Sequence, residues 1–446
     1  MGQWRVKQAR LFLGLRLIRK ETESPQIIAM RLNAVQRSEL ESGILKCVRS
    51  GNGISRVQVA RVLGLAPSTI GTYVDRLIED GFVLEVVPAE RTGGRPPRIL
   101  QTNPNGGQFI GVDFEASHIM ATAVDFADRP LRSDRMLIEK GDTVEKIIAK
   151  IEQIIEQVLP SDPAALLAIG VGVPGIVNAA EGIAVQYNYI PNWQNVPLAA
   201  RLSTRFRVPV YLENNARSMA LAELWFGQGR SVQNFICIGV RSGIGVGIVL
   251  DGQLRRGGQG ASGELGRWRC PEVRGRMASY ILGGQNTKNS STLELQDVAS
   301  VRAIPLALGR ALQAGEQSVL KPRPQVITIH DVVQAIQQGD RMTIAVVEET
   351  ARVLGEAVAD LSFALNPSKI ILSGLVTLLG DVFCKRVNET VNSKLAPLGL
   401  STEVVNSTMG EFCGALGAAA LALHEWTPAM SPQSARRRGK GHKRMP

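Results

Sequence analysis

One stretch limits the folds open to this chain more than any other. The apolar run Val208-Pro-Val-Tyr-Leu212 leads straight into Glu213-Asn214-Asn215-Ala216. The run reads as a short buried strand and Ala216–Phe226 as the helix after it. Such a junction sets polar side chains at the carboxyl end of a strand, where open α/β sheets form their crevices. Gly243-Ile-Gly245-Val-Gly247 follows between two apolar runs, and then Gly263-Glu264-Leu-Gly266-Arg267. The first glycine set suits a tight hairpin and equally a close approach of backbone to a ligand.

The flanking segments extend the same α/β pattern. Gln108–Asp113 and Ile119–Asp125 read as a hairpin around Phe114-Glu-Ala-Ser117. Thr143–Val158 is a helix with Ile147, Ile148, Ile151, Ile154, Ile155 and Val158 on one face. The strand Leu166–Val173 ends in the sharp turn Pro174-Gly175. Helices fill 293–366, Ile370–Leu372 is a strand, and the last helix opens Gly414-Ala-Leu-Gly417-Ala-Ala, a close-packing pattern.

Residues 35–102 have a different character. Ser38–Val48 is a helix. Ser55 caps a second whose inner face is Val59, Ala60 and Leu63, and Gly64 ends it. A third runs from Leu65-Ala-Pro-Ser to about Asp80 with Ile70, Val74 and Leu77 inward. Helix, short turn, helix is a helix-turn-helix, and 81–87 with 99–102 adds a wing around Arg91-Thr-Gly-Gly-Arg-Pro-Pro-Arg98. A protein-interaction module is the alternative to DNA binding. On the third helix Ser68, Thr69, Thr72, Tyr73 and Arg76 are the polar positions expected at base edges and phosphates. Arg91, Arg95 and Arg98 of the wing suit a minor groove or the backbone, and solvated surface is the alternative for each.

Charge follows this division. The net charge is +11, of which +7 lies in 1–104 and +6 in 427–446, leaving the middle slightly acidic. Basic ends around a near-neutral body point to nucleic acid at the ends, with solvated charge the alternative for the tail. Residues 1–34, which lack the apolar core of a secretory signal, read as a basic, poorly ordered extension, with Met30 a second candidate start. Residues 427–446 read as a disordered basic tail. Five scattered cysteines without CxxC spacing suit a reduced, cytoplasmic setting. No stretch approaches the length of a membrane span, so no membrane partner is expected.

The order of polar strand end, glycine loop and acid-glycine pair resembles the ROK family (repressors, open reading frames and sugar kinases), over about 35–426. The family's repressors share the glycine-arginine-proline run before the body. The resemblance implies an α/β body at 105–426, two-lobed and actin-like (ribonuclease H-like), with a β-β-β-α-β-α plan per lobe and a cleft between. It also implies that 35–102 is a winged helix-turn-helix. In the family's kinases the first motif ends Glu-Asn-Asp, and that Asp takes the proton from the sugar hydroxyl. Here the position is Asn215, and an amide cannot accept a proton at neutral pH. The phosphate-binding turn Asp-x-Gly-Gly-Thr is Asp113-Phe-Glu-Ala-Ser117, so side chains fill it and Glu115 repels phosphate. Leu375 crowds the place of a glycine pair against adenosine. The zinc-ligating His is Arg267, and only Cys270 remains of the cysteine cluster, so neither a metal nor another cofactor is expected.

Gly175, Asn214, Asn215, Glu264 and Arg267 persist as candidate ligand-binding residues, and Tyr189 aligns with a sugar-site Asn. The expectation is a transcriptional regulator that binds a double-stranded DNA operator as a homodimer or homotetramer. Its body would sense a sugar or sugar derivative without catalysing transfer. An active ATP-dependent sugar kinase carrying a DNA-binding domain is the alternative.

Overall fold

The computed structural model describes residues 34–50, 53–87, 98–283, 293–321 and 327–430. The expected N-terminal extension up to residue 33, the wing positions Arg91 and Arg95, and the tail beyond residue 430 lie outside the described residues.

Three helices, α1 (Ala34–Ser50), α2 (Arg56–Leu63) and α3 (Pro67–Glu79), open the chain. Ser55 starts α2 with a capping box: its hydroxyl accepts from the Gln58 amide, and the Gln58 side chain accepts from the Ser55 amide. Gly64, left-handed at φ 68°, ends α2, and Pro67 opens α3. Ile44, Val59, Ile70, Val74 and Leu77 close the small core. The wing pairs β1 (Val83–Val86) antiparallel with β2 (Ile99–Thr102).

The body begins with β3 (Gln108–Phe114), β4 (His118–Asp125) and β5 (Pro130–Leu137), then α4 (Val144–Gln157) and β6 (Leu166–Val173). A three-stranded sheet of β7 (Ile176–Asn178), β8 (Ile183–Gln186) and β9 (Gln194–Val196) is inserted before α5 (Leu198–Phe206), β10 (Val210–Asn214) and α6 (Asn215–Trp225). The main sheet of this first lobe has the order β10-β6-β3-β4-β5.

The second lobe repeats the plan. β11 (Phe235–Val240), β12 (Ile244–Leu250) and β13 (Gln253–Arg255) lead into helices α7 (Ala278–Ile281), α8 (Leu295–Ala299), α9 (Ala303–Gln313), α10 (Ile329–Gln337) and α11 (Arg341–Leu365). Then come β14 (Lys369–Ser373), α12 (Gly380–Leu395), β15 (Glu403–Asn406) and α13 (Cys413–Glu425), and the sheet order is β13-β12-β11-β14-β15. Each lobe therefore runs β-β-β-α-β-α-β-α, one strand and one helix beyond the expected plan.

Those two extra helices join the lobes. α6 lies on the second sheet against β11 and β12, whereas α13 returns to the first sheet against β3 and β6, and the two helices pack on each other. The small-residue run of α13 permits this crossing, since a Cβ on Gly417 would sit 1.6 Å from the Ser218 carbonyl oxygen.

The winged helix shares its core with the body. Phe82 stacks on Phe126 at 5.2 Å, and Trp426, just past α13, meets Phe82, Phe109 and Phe126 edge-on. Arg49 lies 4.6 Å above the Phe126 ring and donates to the Leu423 carbonyl in α13 at 3.3 Å.

Candidate functional site

The cleft between the lobes is lined by Pro174, Gly175, Asn214, Asn215, Glu264 and Arg267, as the sequence motifs suggest. It holds a cavity of about 110 Å³ that opens to solvent. Gly175 sits at φ 76° with the Gln186 carbonyl 2.1 Å from where a Cβ would be, so no other residue makes this turn. Its own carbonyl accepts from Asn214 Nδ2 at 2.9 Å.

Asn214 is also the N-cap of α6, its Oδ1 accepting from the Ala216 and Arg217 amides. It therefore fixes the cleft wall as well as facing it. Asn215, half-buried, follows on the same wall. Glu213 does not join them. Strand neighbours point to opposite faces, and its fully buried carboxylate takes Arg217 at 2.6 Å and Arg256 at 2.5 Å outside the cleft.

From the second lobe come Glu264 and Arg267, a pair 3.4 Å apart and both partly solvated. The glycine motif is not the loop its spacing suggests. The turn is Arg241–Gly243, while Gly245 and Gly247 lie within β12. They are needed because α6 packs there: a Cβ on Gly247 would lie 2.2 Å from that of Ala220.

Three further groups of residues surround the cleft, and their pairings were not foreseen from the sequence. Gln186, Tyr187, Asn188 and Gln296 line it from segments without a motif. Arg302 of the second lobe lies 5.4 Å over the Tyr189 ring of the first, across the mouth. At the other end Arg241 Nη1 meets Asp113 Oδ2 at 2.6 Å, and Ser242 donates to Glu115 at 3.1 Å. The one available signal for Arg241 was a lone cation at the end of the wholly apolar strand Phe235–Val240. Burial pushes the Asp113 carboxyl up to about 6 against the pull of Arg241. Burial alone would lower the Arg241 guanidinium, but Asp113 and Glu115 hold it above its ordinary value. Among the described residues no cluster of three or more His, Cys, Asp or Glu is placed to hold a metal.

On α3, Ser68, Thr72 and Arg76 are exposed and Thr69 half-exposed, one turn apart along the helix. Tyr73 corrects the expectation for that face: it is 4 % exposed and belongs to the core beside Val74, with Arg76 5.0 Å over its ring. An aromatic ring midway along a short amphipathic helix gains more from the core than its hydroxyl gains from solvent. Arg98 stands at the base of the wing and pairs with Glu85 at 3.3 Å. The same carboxylate takes Arg56 at 2.8 Å, which holds it below the usual range.

Comparison with known proteins agrees with this layout. The ROK family model matches residues 109–425, and a model of the winged helix-turn-helix DNA-binding domain matches residues 37–83. The xylose repressor of Caldicellulosiruptor bescii is 29 % identical over 358 residues, covering 79 % of this chain and 86 % of the relative. The DNA-binding transcriptional dual regulator NagC of Escherichia coli is 28 % identical over 374 residues, 82 % of this chain and 88 % of the relative. A crystal structure of a ROK family transcriptional regulator, a homologue of the E. coli MLC protein, superposes with a TM-score of 0.71 at 24 % identity over 88 % of this chain and 97 % of that one.

Proposed function

The chain belongs to the ROK family, and from that premise we propose that it is a sequence-specific transcriptional repressor whose body senses a sugar or sugar derivative and transfers no phosphate. The observation that carries this reading is α13. Its first turn packs on Asp113 in the cleft, and its last turn and Trp426 hold Arg49 and Phe82 of the winged helix. One rigid element thus touches both Asp113, whose partner Arg241 lines the interlobe cleft, and the DNA-reading unit. An effector that prefers one lobe arrangement can then shift DNA affinity by its differential binding.

Asn215 argues against catalysis, because its amide has no basic atom to accept a sugar proton. The relatives named as repressors support the same side. Asn215, Glu264 and Arg267 face the space a polyol would fill, with Glu264 accepting from hydroxyls and Asn215 able to donate or accept. We take residues 35–102 as the DNA-reading unit and 105–426 as the sensing body. DNA contact falls to Ser68, Thr69, Thr72 and Arg76, and to the wing arginines. Two copies, paired through the body, would match a palindromic operator with half-sites about one helical turn apart or a multiple of it. No described helix is long and apolar enough to cross a membrane.

The test is binding of the full chain to the promoter beside its own gene, with a panel of unphosphorylated sugars as effectors and ATP turnover followed in parallel. Release by one sugar without ATP consumption supports the proposal, and sugar-dependent ATP consumption overturns it.

A further inference from the structure

The end of the cleft away from Gly175 contains an interaction between lobes that neither sensing nor DNA binding requires. Asp113 ends β3 of the first lobe, and Arg241 follows β11 of the second. Their side chains are buried, 1 % and 7 % exposed, and meet at 2.6 Å. Glu115, 5 % exposed, accepts from Ser242 on the same turn at 3.1 Å. The first of these turns, Asp113–Ser117, stands where the family resemblance puts a phosphate-binding turn.

Both partners are held in place by their surroundings. The Arg241 amide donates to Gly243 and its carbonyl accepts from Val301, so the guanidinium is aimed from a fixed turn. Asp113 lies against the first turn of α13, where a Cβ on Gly414 would come within 2.3 Å of Oδ2. Its other oxygen, Oδ1, is buried without a partner, as is Ser218 Oγ, and a Cβ on Gly172 would lie 3.0 Å from the first and 3.1 Å from the second. A buried ion pair gains little net stability once desolvation is counted. Its retention here needs another reason.

We propose that this end of the cleft is a latch, in which the chain's own carboxylates, Asp113 and Glu115, take the place of nucleotide phosphates on the Arg241-Ser242 turn and hold the two lobes closed. Arg241 is thus an anion-binding residue whose ligand is internal. A sugar at the other end then acts on lobes that need no nucleotide to bridge them. The latch rests on the sensing reading only for that consequence, because the pairing itself can be measured without sugar or DNA.

Two measurements test it on the full chain. All five cysteines are buried, so Glu181→Cys in the first lobe and Gln313→Cys in the second, both at exposed positions, accept spin labels selectively. Electron-electron resonance should give one narrow interlobe distance. Arg241→Gln should lengthen or broaden it, and Ser242→Ala should do so less. A folded Arg241→Gln protein with the parent distribution overturns the latch.

The second measurement is a gain of binding, which misfolding cannot imitate. Asp113→Asn with Glu115→Gln frees the Arg241 turn, so inorganic pyrophosphate should raise the melting temperature of this variant and leave the parent unmoved. Equal responses of parent and variant would mean that the carboxylates do not occupy an anion site. Should Arg241→Gln fail to fold, Ser242→Ala and the pyrophosphate comparison decide the matter. A failed latch leaves sugar-controlled DNA binding intact, and a failed sugar response leaves the latch intact.

Discussion

The two ends of the interlobe cleft have been treated differently. At the Gly175 end the wall is fixed by backbone and by Asn214, while Asn215, Glu264 and Arg267 still face open space. At the Asp113 end the corresponding polar groups bond to one another across the lobes. On the proposed reading, one end offers polar groups to a small hydroxylated ligand, while at the other end the polar groups engage one another. If the proposal holds, the difference separates recognition from transfer, since a cleft whose one end is filled by its own side chains can keep the first without the second.

The largest expected effect breaks the comparison if it fails. Asn215→Asp supplies a carboxylate where a general base would stand, a change that elsewhere is worth about 10²–10⁴-fold in rate. Here it should give no measurable ATP-dependent phosphorylation of any sugar in a coupled assay, because Phe114, Glu115 and Ala116 still fill the opposite turn. Turnover by Asn215→Asp alone would mean that the Asp113 end is not closed to nucleotide.

A pH titration sharpens the contrast at somewhat smaller scale. The Asp113 carboxyl is raised from 3.8 to about 6 in the folded protein. The groups facing it are Arg241 across the cleft, Glu115 two residues on, and the Cys413 thiol at the start of α13, which burial lifts to about 12. Between 3.8 and about 6 the native state holds a proton that the unfolded chain has lost. The stability due to this group therefore falls as pH rises through that window and is level above it. At about 1.4 kcal/mol per unit the whole swing is about 3 kcal/mol. Asp113→Asn should remove that slope from denaturant-unfolding curves whatever it does to absolute stability. Parallel slopes in parent and variant would place the titrating group elsewhere.

Glu264→Ala tests the other end. It should leave DNA affinity intact and abolish the response to the releasing sugar, a coupling of about 1–3 kcal/mol read as a 5–150-fold change in apparent affinity. An unchanged response would put the effector site outside this cleft. Smallest of all, Tyr73→Phe should leave DNA affinity unmoved, since only the ring contributes there and it faces the core. A clear loss would return Tyr73 to the DNA face.

Much of the fold was legible because local chemistry and tertiary structure agree. Ser55, Gly64 and Pro67 mark helix ends, and the isoleucines of α4 mark a single buried face. β5 was not legible, because an edge strand with Arg132, Asp134 and Arg135 shows solvent on both faces and has no apolar alternation to find. In the cleft, Gly175, Asn214 and Glu264 were accessible through motifs. The function of Gly245 and Gly247 was misread, since the approach of α6 to β12 is a tertiary contact that no hairpin spacing reveals. That Glu213 turns away from the cleft was not legible, because its partner Arg256 is distant in sequence. The Asp113–Arg241 pairing joins residues on different lobes, and nothing within either segment names the other.

The most direct test is a titration of the full-length protein on the promoter beside its own gene, with unphosphorylated sugars and no nucleotide present. One sugar should release the DNA at saturating concentration, and adding ATP should neither be required nor alter the midpoint. If no sugar releases the DNA, or if release occurs only when ATP is supplied and consumed, the cleft is not a nucleotide-independent sugar sensor.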